Sequence, residues 1–80
     1  MLNIKGTVIS KKIVTRPVRA EVLFLDSDGD NWSLQLRPKN FTLLAKIDVG
    51  ASVLFTVRNE ISASEKSIIN NLIVINATIL

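Results

Sequence analysis

The chain has 80 residues, 48% of them hydrophobic, and a net charge of +3, which describes one small folded domain and excludes a disordered tail. It contains neither cysteine nor histidine, so disulfide frameworks, thiolate chemistry, the usual general base and the commonest metal ligand are all missing. No glycine loop built to cradle phosphate and no carboxylate pair outside one turn is present, so neither catalysis nor a cofactor is expected.

The opening "MLNIKGTVIS" is interrupted by polar residues and has no apolar run or small-residue cleavage site of a signal peptide. The most apolar stretch, "LIVINATIL", is broken by Asn76 and Thr78 and falls short of the ~20 residues a membrane span needs. A cytoplasmic protein without a membrane partner is the expectation.

Residues 2–14 alternate as a first strand, with Ile4 and Val8 on one face and Lys5, Thr7, Ile9 and Lys11 on the other. Gly6 suits a place where a coiled strand bends. Pro17 after Arg16 marks a loop. Residues 18–25 form a second strand whose inner face is Val18, Ala20, Val22 and Phe24. The stretch "FLDSDGDNWSLQL" follows, with aspartates at 26, 28 and 30. A calcium loop of this opening needs glycine at its sixth position and a bidentate Glu at its twelfth; here Gly29 is fourth and Arg37 is twelfth. Asp-Gly between two β-rich runs reads instead as a hairpin turn over 26–30, and no metal is expected.

Residues 31–37 form a third strand, Leu34 and Leu36 inward and Ser33, Gln35 and Arg37 outward, ended by Pro38. "NFTLLAKI" is the one helix, of two turns at most, with Asn40 as N-cap and Phe41, Leu44 and Ala45 at helical spacing. Gly50 turns the chain into a fourth strand, residues 52–59, with Val53, Phe55 and Val57 inward. The polar loop "EISASEKS" leads to a fifth strand over 68–79. Three strands, a short helix and two more strands describe an all-β fold, a five-stranded OB-fold barrel with its helix between strands 3 and 4. Closure also removes the exposed edges that long apolar strands would otherwise present.

In layout the chain resembles bacterial single-stranded-DNA-binding proteins and the related primosomal replication proteins. "IKGTV" resembles their first strand, "NWSLQL" their third with its early tryptophan, and "VGASVLFTVRNEI" their glycine turn and fourth strand. The resemblance implies binding of single-stranded DNA or RNA with little sequence preference, Trp32 stacking on bases and Arg37 clamping the strand. "LNIKGTV", "VRAEV" and "VGASVLFTV" also resemble, in order, the oxyanion-binding TOBE domains of molybdate proteins, which bind at a dimer interface; the matching polar residue is Asn3.

Five cations, Lys5, Lys11, Lys12, Arg16 and Arg19, precede the first acid, Glu21. Most fall in or beside the first inter-strand loop, one jaw of an OB-fold groove, where cations can track a phosphate backbone. The expected nucleic-acid face therefore comprises these five together with Trp32, Ser33, Gln35, Arg37, Arg58 and Lys66. Trp32 shares parity with Leu34 and Leu36, so an unbroken strand turns it inward as a plug at the barrel end. A bulge beside the turn would put it at the mouth of the groove, and a partly exposed groove position is the expectation carried forward. Leu23, Leu25, Leu54, Leu72 and Val74 read as outward aliphatics and form an expected association surface for a homodimer or a larger replication or repair protein. An interaction module of the same fold that binds no nucleic acid is the alternative function.

Overall fold

The computed structural model describes residues 1–63 and 68–80, the side chains of residue 62 and residues 68–70 excepted. Five strands, β1 (Leu2–Val14), β2 (Arg19–Asp26), β3 (Asn31–Leu36), β4 (Ser52–Ala63) and β5 (Ile68–Ile79), close into a barrel in the order β1-β2-β3-β5-β4. A 3-10 helix (Pro38–Ala45) connects β3 to β4. This is the OB-fold layout. All neighbouring strands run antiparallel except β3 and β5, whose parallel pairing places Gln35 opposite Ile73. No helix among the described residues is long and apolar enough to cross a membrane.

β1 belongs to the barrel in two ways. Its first half pairs with β4, from Leu2 opposite Val57 to Thr7 opposite Ser52; its second half pairs with β2, to Val14 opposite Arg19. The overlap falls at Gly6, opposite both Asp26 and Val53. A Cβ there would run into the Leu25 carbonyl oxygen and the Asp26 backbone, so only glycine lets β2 cross this closely. A bulge at Ile9 follows, and beside it the Val8 N–H donates to the Ala51 carbonyl (3.1 Å) while the Gly50 N–H donates to Val8 (2.8 Å).

The alternation read from sequence fills the interior: Ile4, Val8, Ala20, Val22, Phe24, Leu34, Leu36, Val53, Phe55 and Val57 are all buried. Phe24 and Phe55 meet edge to face at 5.0 Å and 88°, the geometry their ring quadrupoles favour. Val18 does not join them; it lies in the turn before β2 and is 49% exposed. β4 also runs past residue 59 to Ala63, so the first part of the expected "EISASEKS" loop is strand and the remainder lies outside the described residues.

β5 departs furthest from simple alternation. Thr56 lies opposite Asn76 and Val57 opposite Val74, which leaves Ile75 as an extra residue. One extra residue reverses the faces on either side of it. Val74, expected outward, is therefore fully buried, and Leu72 is half-buried against the core.

The helix is tighter than α. Its start follows from Pro38, which needs no hydrogen-bond partner for its nitrogen, and Phe41, Leu43 and Leu44 pack on the core. Asn40 is not the N-cap: its backbone N–H donates to the Arg37 carbonyl (2.8 Å), and its side-chain amide donates to the Val74 carbonyl (3.2 Å), tying the helix to β5. The following Ile47 is fully buried.

Candidate nucleic-acid interface

The aspartate turn comes first, because it decides where Trp32 goes. Asp26 N–H donates to the Asp30 carbonyl (2.9 Å) and Gly29, at φ +87°, takes the left-handed position that closes a three-residue hairpin loop. The Asp26 Oδ1 accepts from the backbone N–H groups of Asp28 and Asp30, each at 2.9 Å. Its Oδ2 accepts from the Trp32 indole Nε1–H at 2.8 Å. These donors hold the Asp26 carboxyl below its ordinary value of 3.8, the indole contributing most and the Asp30 amide next.

Pairing of β2 with β3 runs unbroken from Leu25 opposite Asn31 to Ala20 opposite Leu36, with Trp32 opposite Phe24. No register break moves Trp32 outward. It keeps the parity of Leu34 and Leu36, half-buried against the core at the turn end of the barrel. There it borders an open pocket of about 330 Å³ shared with residues 2–5 and 26–28, Lys5 among them. Lys5 and Trp32 thus sit together, away from the other expected site residues.

The bulge at Ile9 redistributes the basic cluster. Beyond it, Lys11 lies opposite buried Val22 and so has the inward parity, not the outward one expected. Its ammonium donates to the Leu44 carbonyl at 2.9 Å and lies 3.7 Å from Asp48, where it caps the helix end. Lys12 stays outward, 3.7 Å from Glu21, and Arg19 reaches the same Glu21 at 3.3 Å. Arg16 projects from the exposed turn between β1 and β2 with a left-handed backbone at φ 76°. Lys66 lies outside the described residues.

A second pair of cations forms on the far side of the sheet. Arg37 reaches across β5 to Glu60 at 2.8 Å, and Arg58 holds the other oxygen of the same carboxylate at 2.9 Å. Arg58, and then Arg37, depress the Glu60 carboxyl below its ordinary value of 4.5, so it stays ionised at neutral pH.

Strand register joins the two pairs. Lys12 lies opposite Glu21, Glu21 opposite Gln35, Gln35 opposite Ile73, and Ile73 opposite Arg58. Lys12, Glu21, Gln35 and Arg58 form an outward row about 19 Å long at ~4.8 Å per strand, interrupted on β5 by Ile73, whose side chain is buried. Arg19 and Arg37 flank the row on one side, Leu23 and Ser33 on the other. Among the described residues four cations, Lys12, Arg19, Arg37 and Arg58, face two carboxylates, Glu21 and Glu60. Sequence reasoning named the cations but missed both acids as their shared partners. The i, i+2 spacing of Arg58 and Glu60 on one strand signals half of that role, but Arg37, 23 positions away, carries none.

Of the expected association surface, Leu23 and Leu25 are exposed, Leu54 is outward but half-buried, and Leu72 and Val74 belong to the core side. The bulged, exposed Ile9 lies between the partners of Leu23 and Leu25 and extends that smaller patch. Comparison with protein-family models, curated proteins and solved structures returns no match.

Proposed function

We propose that this domain binds single-stranded nucleic acid, with little sequence preference, along the outer row from Lys12 to Arg58. One observation carries the reading: cations remote in sequence converge on a single face, four against two acids among the described residues, with the polar Ser33 and Gln35 between them. Such a face suits phosphates, whose neutralisation releases counterions. It holds no aromatic platform among the described residues, since Trp32 is taken into the barrel end and Phe24 and Phe55 into the core. Binding therefore rests on charge, with bases lying against the exposed Leu23, and DNA and RNA are treated alike.

The test is an oligonucleotide titration across salt concentrations. With four phosphate contacts the affinity falls with a log–log slope of about −3, at ~0.7 per contact on a single strand. The double variant Arg37→Ala, Arg58→Ala lowers the magnitude of that slope by about 1.4 and weakens all sequences alike. An unchanged slope places binding elsewhere; no binding at low salt removes the reading.

A further inference from the structure

The second half of β1 presents a different kind of surface. After Thr7 it leaves β4, and among the described residues the backbone of residues 10–14 is paired only with β2. Alternate amide and carbonyl groups along its other side therefore form an open sheet edge. Beside that edge is an open pocket of about 420 Å³, lined by Lys11, Lys12, Ile13 and Leu44. Ile13 has the inward parity but extends past the barrel, and it is 62% exposed.

An open edge with an adjoining apolar pocket is the geometry of strand addition, in which main-chain hydrogen bonds give affinity and a pocket selects alternate side chains. Charge selects the occupant. Two copies pairing antiparallel through this edge would set Lys11 and Lys12 against the same lysines, an unfavourable cross-strand arrangement. An acidic strand meets the opposite situation. Lys12 has a 70% exposed side chain, and among the described residues the one carboxylate beside Lys11 is the exposed Asp48 at 3.7 Å, which a partner's carboxylate can replace.

We propose that the edge at residues 10–14 docks an extended acidic segment of a partner protein, alternating carboxylates with apolar side chains, one of which fills the pocket against Ile13 and Leu44. This interface is separate from the Arg37–Arg58 side of the outer row and does not depend on nucleic-acid binding.

The probe is an acetylated octapeptide alternating aspartate with leucine, titrated into the isotope-labelled full chain and followed by amide NMR. Shifts confined to residues 10–14 and Leu44 are expected. Ile13→Ser weakens the peptide about tenfold while leaving tryptophan emission and the oligonucleotide titration unchanged. N-methylation of alternate peptide amides, in the phase that faces the edge, weakens binding at least about tenfold as well. Absence of shifts at millimolar peptide overturns the proposal. So do shifts centred on Arg37 and Arg58, or equal binding by both N-methylated phases, since either marks charge attraction without strand addition.

Discussion

The two halves of β1 share one strand and almost nothing else. The first, Leu2 to Val8, is held on one side by β4 and, from Gly6 onward, by β2 on the other, with Ile4 and Val8 buried. The second, beyond the Ile9 bulge, is held among the described residues by β2 and tethered by Lys11 to the helix end. Its Ile13 is exposed, Val14 is half-buried, and its cations meet partners at the surface. One extra residue in the strand separates a part that makes the barrel from a part that the barrel presents.

The largest expected effect tests the first half. Gly6→Ala forces a Cβ into backbone that cannot move without parting β1 from β2. A loss of about 3 kcal/mol or more is expected, a fall in Tm of at least roughly 12 °C for a domain this small. Ile13→Ala, by contrast, changes an exposed site and shifts stability by less than about 0.5 kcal/mol. Similar losses at the two positions would erase the distinction between the halves.

Lys11→Met is intermediate. It removes the bond to the Leu44 carbonyl and the weak pair with Asp48 but keeps the aliphatic stem, for a cost of about 1 kcal/mol. Faster amide exchange at Lys46, whose N–H closes the helix on Leu43, should accompany it. An unchanged exchange rate would show that the tether holds nothing.

The smallest effect is acidification of the turn beside the first half. Because the folded Asp26 carboxyl lies below its ordinary value, its contribution to stability is complete above pH 3.8 and disappears as pH falls through the folded value. Trp32 is the only tryptophan and there is no tyrosine, so its emission reports the loss directly. Asp26→Asn should remove this pH dependence; a transition that persists in that variant belongs to another group.

What was legible in the sequence was the order of elements and most of the interior, because alternation is a local property and β1, β3, β4 and β5 begin where polar breaks say they should. What was not legible depended on single extra residues. Nothing in "VIS" or "VINA" distinguishes a bulge from a continued strand, yet these two bulges decide the faces of Lys11, Leu72 and Val74. Trp32 shows the opposite lesson. Its parity with Leu34 predicts its inward position, and the layout resemblance pulled the expectation outward. The cation face was half legible: composition identifies the charges, but only strand register brings Lys12 and Arg58 into one row with their shared glutamates.

The seam between β3 and β5 gives that row a mechanical consequence. This parallel junction is the shortest pairing in the barrel, with Asn40 pinned to Val74 beside it. Opening there turns the closed barrel into an open sheet, β3 at one edge and β5 at the other, still joined through the β1–β4 pairing while the long antiparallel pairings stay intact. The outward row crosses this same junction, with Lys12 and Gln35 on the β3 side and Arg58 on the β5 side. Any ligand long enough to occupy the row acts as a clasp, and its binding energy is drawn on to hold the barrel shut. Slowed amide exchange at Ile73, on the β5 side of the seam, would then register occupancy as closure.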